Sequence, residues 1–262
     1  MVFTAHGWSF EEGVPYLQRK LFLTVERHVA RHTNYFISVA ELGRKLAIEN
    51  RVAPAERIVT IHYGVHDIGG QCVRRRRNEP FTMTMVAGFR KQKDHPTFIR
   101  ALGELKDRNW VVHLLGDDDG DGHSIKIARD LVERFGLSQR VHFHGAVNNV
   151  SDFLCQSHLK VLTTNWEGLP ISVIEALSYG LPVVASDVSG VREEVIDEHN
   201  GLLTPRGDVQ AVTVALARLI DDRKILDSMG RNSRELFLQK FTQAAMYQKT
   251  KHVYKKVIAE AA

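Results

Sequence analysis

Short apolar runs alternate with stretches of helical periodicity from Thr82 to Ser186, and this alternation constrains the fold more than any other feature of the chain. The runs are nearly continuous in apolar residues, as expected for strands that are covered on both faces. A strand-then-helix order of this kind predicts an α/β domain with a doubly wound parallel sheet. The predicted strands are residues 83–87, 111–115, 141–144, 160–163 and 182–186.

The first 66 residues are organised differently. Strands are predicted at 2–5 and 35–39, with a third at 58–61, which is too few for a second complete sheet. A segment of this size is marginal as an independent domain, and a strand so close to Met1 would leave an exposed edge. We therefore expect either that an earlier part of this domain is missing or that the segment docks on the larger domain.

The pattern predicts four parts: a partial amino-terminal domain, a linker, a carboxyl-terminal domain and a final helix that packs back toward the amino-terminal part. Their predicted bounds are 1–66, 67–80, 81–240 and 241–262. The linker contains a run of four arginines at 74–77, and such charge runs are typical of solvated segments.

Residues 15–32 predict an amphipathic helix. Its apolar stripe and its basic residues are Leu17, Leu21, Val25 and Val29, and Arg19, Lys20, Arg27 and Arg31. The stripe favours a helix that covers a sheet, and the basic residues leave a second interpretation open, in which the helix lies on an anionic membrane surface.

Composition excludes several classes of protein. The chain has 35 basic and 31 acidic residues, a mild excess that suits anionic substrates or an anionic membrane surface and does not by itself imply nucleic acid. No apolar run reaches the roughly 18 to 20 residues that cross a bilayer, and the expected location is cytoplasmic. Cys72 and Cys155 are isolated, so we interpret both as structural or incidental thiols rather than as a zinc site or a disulfide framework.

Two carboxylates, Glu167 and Glu175, are separated by seven residues around the predicted start of a helix. Pro170 suits a first helical position, so the backbone N–H groups near Gly168 and Leu169 would be free to bind a diphosphate. At helical rise the two carboxylates would lie about 12 Å apart along the axis. We expect Glu167 to meet a sugar and Glu175 a ribose, at the rim where ligands of such sheets bind.

Other loops that follow predicted strands carry candidate site residues. Arg90 and Lys93 could neutralise a leaving diphosphate, although a merely solvated basic loop fits equally. His6 follows the first strand and either faces a cleft between domains or is structural. The stretch 116–122 is interpreted as a glycine-rich turn near a nucleotide, because the glutamate that a calcium loop needs at its twelfth place is replaced by Ala128.

Metal and nucleophile motifs are missing from the sequence. His62, His113, His142 and His144 show no spacing typical of metal ligands, and neither a phosphate loop of the Walker type nor a Gly-x-Ser-x-Gly elbow occurs. We therefore expect no metal site and no metal requirement.

The motifs together resemble the retaining, nucleotide-sugar-dependent glycosyltransferases of family four, which have the GT-B fold of two Rossmann-like domains. The longest matching segments are 163–177 and 180–190 with Glu193, and the shorter ones are 4–7, 93–95, 140–145 and 201–205. The resemblance covers residues 2 to about 257 and implies a complete carboxyl-terminal domain with a partial amino-terminal one.

The resemblance also implies roles for individual residues. Glu167 would contact the hydroxyls of the transferred sugar, Glu175 the ribose, Lys93 the diphosphate, and His6 the donor sugar and acceptor. Further donor contacts are implied for the backbone of Gly168 and Leu169 and for Thr164, Gly116, Gly145 and Val147.

The chain departs from the family pattern at four places. The usual arginine five residues before Lys93 is replaced by Gly88, and Arg90 is its candidate substitute. Tyr63 stands where an asparagine is usual before Gly64, and Ser189 replaces the first glycine of a pair. The first strands of the family's amino-terminal domain, which help to bind the acceptor, have no counterpart before His6.

The resemblance leads us to expect a cytoplasmic hexosyltransferase, peripheral on the inner membrane face or free. It would move sugar from a UDP- or GDP-sugar to a glycan or lipid-linked acceptor with retention, in surface polysaccharide assembly and without a cofactor. One alternative is a donor-binding subunit or inactive fragment that needs a separate amino-terminal polypeptide. A nucleotide-sugar epimerase is a further alternative, and no nucleic-acid partner is expected.

Overall fold

The computed structural model describes residues 1–10, 14–68, 80–118 and 122–261. The arginine run at 74–77, Cys72, most of the predicted linker and residues 119–121 of the predicted glycine-rich turn lie outside the described residues. No described helix is long and apolar enough to cross a membrane.

A six-stranded, fully parallel sheet forms the larger unit, and it confirms the predicted doubly wound α/β architecture. Its spatial order is β6-β5-β4-β7-β8-β9. The strands are β4 (Phe81–Val86), β5 (Trp110–Leu115), β6 (Val141–Gly145), β7 (Leu159–Leu162), β8 (Val183–Ser186) and β9 (Gly201–Thr204). All five predicted strands are present, whereas the edge strand β9 had not been predicted. The central strands β7 and β8 are buried along their whole length, because helices cover both faces.

Six helices connect or follow these strands: α3 (His95–Gly103), α4 (His123–Arg134), α5 (Val150–Cys155), α6 (Ile171–Ser178), α7 (Val209–Asp221) and α8 (Arg223–Lys240). Helix α3 packs against α4 and α7, and α6 packs against α8. The aspartates before α3, α7 and α8 cap the first turn, where free N–H groups need acceptors. Cys155 is disulfide-bonded, which corrects its interpretation as a structural or incidental thiol.

The direction of the chain across this sheet reverses between β4 and β7. From β4 the chain moves outward through β5 to β6, then returns to the other side of β4 and moves outward through β7, β8 and β9. The loops after β4 and β7 therefore leave in opposite directions and open a crevice at the carboxyl ends of the two strands. Doubly wound sheets bind their ligands in such a crevice.

The smaller unit is a three-stranded parallel sheet of β1 (Val2–Ala5), β2 (Tyr35–Ser38) and β3 (Ile58–Thr60), in that spatial order. These strands confirm the three predicted near the start of the chain. The helices α1 (Tyr16–Ala30) and α2 (Glu41–Glu49) connect them. The final helix α9 (Gln243–Ala261) contributes Val253 to a cluster with Ile37 and Ile61 of the smaller unit. The division into domains at the bounds given above stays a prediction.

Helix α1 does not cover the sheet with the face that the sequence suggested. Its apolar stripe is exposed, with Leu17 at 79% and Leu21 at 62% of their full accessibility. The helix packs instead through Ala30, with Phe22 and Leu23 partly buried against the core of the smaller unit. The stripe therefore remains a free apolar surface on the described part of the chain.

Glu193 joins the two units at the start of α2. Its carboxylate accepts the N–H groups of Glu41 and Leu42 at 2.8 and 2.9 Å, and its Oε2 lies 2.8 Å from Nε2 of His62. The first N–H groups of a helix have no partner inside the helix and carry the positive end of its dipole. Glu193 therefore acts as a cap supplied from the other unit, and its contacts hold the units together.

We predict that Glu193→Gln lowers the free energy of unfolding by about 1–2 kcal/mol at pH 7. Burial alone would raise the pKa of Glu193, but hydrogen bonds from His62 and from the Glu41 and Leu42 N–H groups outweigh it, and the pKa lies below its ordinary value of 4.5. The stabilisation by the carboxylate is therefore present above pH 4.5 and lost as the pH falls through the lowered pKa. Urea unfolding at pH 7 and pH 3.5 should show a difference from the parent chain that shrinks at the lower pH. The exposed control Glu104→Gln should show none, and an equal loss at both pH values would contradict the role of the charge.

Lys160 is a fully buried lysine on the central strand β7, and its Nζ has no hydrogen-bond partner among the described residues. Burial lowers its pKa from the ordinary 10.5 to about 7, although the nearby Glu175 carboxylate opposes this. Because the folded chain holds the proton less tightly than the unfolded chain, folding becomes less favourable as the pH falls from 10.5 to about 7.

We predict that Lys160→Met raises the free energy of unfolding on the order of 2–5 kcal/mol below pH 7, with a much smaller gain near pH 10. Urea unfolding at pH 6 and pH 10 measures both values. The exposed control Lys249→Met on α9 should leave both unchanged. A Lys160→Met protein no more stable than the parent at pH 6 would show that the ammonium is well accommodated.

Candidate active site in the crevice between strands β4 and β7

Backbone hydrogen bonds join the loop after β4 to the loop after β7. The Asp94 N–H donates to the Thr163 carbonyl at 3.0 Å, and the Asn165 N–H donates to the Gln92 carbonyl at 2.8 Å. The Thr164 hydroxyl also donates to the Gln92 carbonyl, at 3.1 Å. Two loops that leave adjacent strands are thereby fixed to each other across the crevice.

This connection places Lys93 beside Glu167. The ammonium of Lys93 donates to Oε1 of Glu167, and the side chains are only 16% and 6% exposed. Gln92 supports the pair, since its Nε2 donates to the Trp166 carbonyl at 2.6 Å. A partly desolvated cation and carboxylate thus lie at the bottom of the crevice, where an anionic ligand with hydroxyl groups could use both.

Glu175 lies apart from this pair. Helix α6 begins at Ile171 with Pro170 as its N-cap, so Glu167 belongs to the preceding loop. The spacing of about 12 Å assumed helical rise from Glu167 onward, whereas only Glu175 lies in the helix. Glu175 lines a cavity of about 330 Å³ between α5, α6 and the segment that crosses between the units. Glu167 borders a different pocket, which it shares with His6 and Gly168.

Buried charges surround the two glutamates. Burial raises the pKa of Glu175, and Lys160 opposes this. Glu194 is fully buried and neither of its carboxylate oxygens has a hydrogen-bond partner among the described residues. Burial and the like charges of Glu167 and Glu193 raise its pKa well above the ordinary value. Lys160 and Glu194 were not predicted as part of the site, although a lysine within an apolar strand run was a visible signal for the first.

Close backbone contacts shape the approach to Glu167. A Cβ on Gly190 would lie 1.7 Å from the Gly168 carbonyl oxygen, so only glycine fits at position 190. A Cβ on Gly168 would lie 3.3 Å from the His6 carbonyl oxygen, which brings the smaller unit against the loop before α6. The Leu169 side chain is buried in the main core and fixes that loop.

Arg90 lies over the glycine that replaces the usual arginine. A Cβ on Gly88 would be 3.3 Å from Nε of Arg90 and 3.3 Å from Oδ1 of Asp117, so the Arg90 side chain lies directly beside position 88. Arg90, Lys91 and Lys93 line one cavity of about 260 Å³ with the start of α4. His95 also lines it and is buried, which lowers its pKa to about 4 and keeps it neutral at physiological pH.

The other candidate donor-binding residues lie at the same edge of the sheet, at the carboxyl ends of its strands, and each makes different local contacts. The Thr164 N–H donates to Ser186 Oγ at 2.9 Å, so this residue joins loops. The Gly116 N–H donates to the Gly145 carbonyl at 2.9 Å, and a Cβ on Gly116 would clash with Ala87. Gly145 has φ +67°, and Val147 lies half-buried in the loop after β6.

His6 directly follows β1 and faces the segment that crosses between the units, where its Nδ1 lies 2.5 Å from the hydroxyl of Tyr63. A further histidine contact lies at the outer side of the sheet, where Nδ1 of His113 is 3.0 Å from Nε2 of His144. Within the described ranges, no group of three or more His, Cys, Asp or Glu residues is arranged to hold a metal ion. The absence of a metal requirement stays a prediction.

Curated relatives match nearly the whole chain. The UDP-Gal:alpha-D-GlcNAc-diphosphoundecaprenol alpha-1,3-galactosyltransferase of Escherichia coli is 26% identical over 97% of this chain and 68% of its own length. The putative glycosyltransferase EpsD of Bacillus subtilis is 25% identical over 97% of this chain and 69% of its own length.

The fold matches solved structures at lower identity. Anabaena HepE, solved in complex with UDP and glucose, superposes with a TM-score of 0.85 at 19% identity, covering 97% of this chain and 71% of HepE. A glycosyltransferase from Rickettsia africae gives a TM-score of 0.84 at 16% identity, with 98% and 70% coverage. The family model described as glycosyl transferases group 1 matches residues 73–236, which is more than half of the chain. The chain therefore belongs to the glycosyl transferases group 1 family and has a GT-B type of fold.

Proposed function

We propose that the chain transfers a hexose from a UDP- or GDP-sugar to a glycan or lipid-linked acceptor with retention, in the assembly of a surface polysaccharide. The Lys93–Glu167 pair in the crevice between β4 and β7 carries the proposal, because it combines a cation for a diphosphate with an acceptor for sugar hydroxyls. The name of the Escherichia coli relative, a UDP-galactose transferase acting on a lipid diphosphate-linked sugar, supports the donor and acceptor classes. The HepE complex with UDP and glucose supports the same donor class.

Donor binding would exchange the partners of this ion pair. The diphosphate competes for the Lys93 ammonium, and Glu167 is then free to accept hydrogen bonds from the hydroxyls of the sugar. Because both groups are partly buried, each needs a replacement partner when the pair separates, and the donor supplies both. Glu175 lines its own cavity, and in this proposal its carboxylate accepts hydrogen bonds from the ribose hydroxyls.

The chemical step breaks the bond between the sugar's anomeric carbon and the diphosphate oxygen, so negative charge develops on that oxygen. Lys93 and Arg90 stabilise this negative charge, and the positive end of the α6 dipole contributes to the stabilisation. The acceptor hydroxyl attacks the anomeric carbon from the face that the diphosphate leaves, and the departing diphosphate oxygen takes its proton. The configuration is thereby retained, and the two cations supply the charge stabilisation without a metal ion.

Glu167→Gln is predicted to lower kcat about 100-fold or more, because the amide keeps the size of the side chain but loses the charged acceptor. Release of UDP and formation of glycosylated acceptor would be followed by chromatography with a panel of UDP- and GDP-sugars. Glu198→Gln, an exposed glutamate outside the crevice, is the matched control and should keep full activity. Unchanged turnover in the Glu167→Gln protein would contradict the assigned role.

Arg90→Met is predicted to lower kcat about 10-fold, because it removes one of the two cations that face the leaving group. Lys91→Met is the matched control. Lys91 lines the same cavity, but its side chain is not among the nearest neighbours of Gly88. Steady-state kinetics at saturating donor compare the two. A smaller loss for Arg90→Met than for Lys91→Met would show that Arg90 does not take the place of the usual arginine.

A second candidate is a donor-binding subunit that needs a separate polypeptide for the acceptor side. Strand β1 pairs only with β2 among the described strands, and the apolar stripe of α1 is exposed, so both could receive another chain. An anionic membrane is the other candidate partner for the stripe, given Lys20 and Arg27 on the same helix.

The donor-binding subunit would be favoured by calorimetry that shows donor binding without turnover, with turnover restored by a neighbouring gene's product. Conversion of the donor into another nucleotide-sugar without any acceptor would instead indicate an epimerase.

A further inference from the structure

Tyr63, which stands where the family pattern usually has an asparagine, connects the two units through its side chain. Its hydroxyl lies 2.5 Å from Nδ1 of His6, and the two rings stack at 5.7 Å between centroids with 9° between their planes. The ring of Tyr63 packs, partly buried, against the hydrophobic core of the six-stranded unit. His6, in contrast, directly follows the first strand of the smaller unit.

The backbone that carries Tyr63 is held firmly. A Cβ on Gly64 would lie 2.4 Å from the Thr242 carbonyl oxygen, so the crossing segment passes in direct contact with the start of α9. The Val65 N–H donates to the Phe241 carbonyl at 3.0 Å, and the Gln243 N–H donates to the Val65 carbonyl at 3.1 Å. The backbone beside Tyr63 is therefore fixed, so the Tyr63 hydroxyl can orient the His6 side chain.

The neighbour that it orients borders the candidate active site. His6 lines the same pocket as Glu167 and Gly168. A neutral imidazole carries one proton, and the hydrogen bond made by one ring nitrogen decides whether the other is a donor or an acceptor. A hydroxyl that donates to Nδ1 places the proton on Nε2.

We propose that Tyr63 is a positioning residue for His6: its hydroxyl donates to Nδ1, holds the imidazole against the crevice and makes Nε2–H a hydrogen-bond donor to the transferred sugar. The effect on catalysis rests on the proposed glycosyl transfer, whereas the hydrogen bond and the tautomer do not. Burial raises the pKa of Tyr63, so its hydroxyl stays protonated and able to donate at neutral pH. An asparagine, usual at this place in the family that the sequence resembles, has no aromatic ring to stack on His6.

The tautomer can be measured directly on the 262-residue chain. Long-range proton–nitrogen NMR spectra at pH 8 separate the two neutral tautomers, and His6→Asn identifies the His6 signals by their loss. We expect the Nε2–H form in the parent chain and a mixture of tautomers in Tyr63→Phe. Tyr254→Phe, which removes the same hydroxyl from an exposed tyrosine on α9, should leave the His6 signals unchanged. An Nδ1–H form in the parent, or an unchanged spectrum in Tyr63→Phe, would overturn the proposal.

Kinetics test the consequence for catalysis. We expect Tyr63→Phe to lower kcat about tenfold with the donor KM within twofold, since the ring remains and only the orientation of His6 is lost. Tyr254→Phe should keep both parameters. An altered tautomer with unchanged kcat would overturn the link between Tyr63 and transfer. If the parent chain turns over no nucleotide-sugar, the proposed function fails, and the NMR result still decides whether Tyr63 positions His6.

Discussion

The reversal of strand order between β4 and β7 is the constraint on which the rest of the structure depends. A parallel sheet that winds in both directions must leave one pair of adjacent strands whose following loops diverge. The loops after β4 and β7 lie at that place, and hydrogen bonds between Gln92 and Asn165 and between Asp94 and Thr163 hold them together. The crevice is therefore a product of topology. Hydrogen bonds between backbone atoms of the two loops hold its floor in place, independently of the side chains.

The charges around this crevice are not arranged for stability. Lys160 and Glu194 are fully buried without hydrogen-bond partners among the described residues, and each carries the cost of desolvation. A fold selected only for stability would carry apolar side chains at both positions. Their presence behind Glu167 and Glu175 fits the general rule that local violations of folding preference concentrate at functional sites.

The sequence predicted those parts of the fold that depend on local patterns. Apolar runs located five strands of the large sheet and three of the small one, and loops after strands located Lys93 and Glu167. Strand β9 was missed because it has four residues and begins with a glycine, which in sequence indicates a turn. The contacts of Tyr63 with His6 and of Glu193 with α2 join residues 57 and more than 150 positions apart, so no local pattern could predict them.

The crevice also depends on how the two units meet. Only one wall, with Lys93, Glu167 and Arg90, belongs to the six-stranded sheet, whereas His6 comes from the other unit. Contacts from three separate places fix the second wall: Glu193 at the start of α2, Gly168 against the His6 carbonyl, and Gly64 against Thr242. Two of these are glycines at positions where a Cβ would press on backbone atoms, so close approach of the main chains determines the width of the crevice. Larger side chains at positions 64 and 168 would therefore move His6 relative to Glu167.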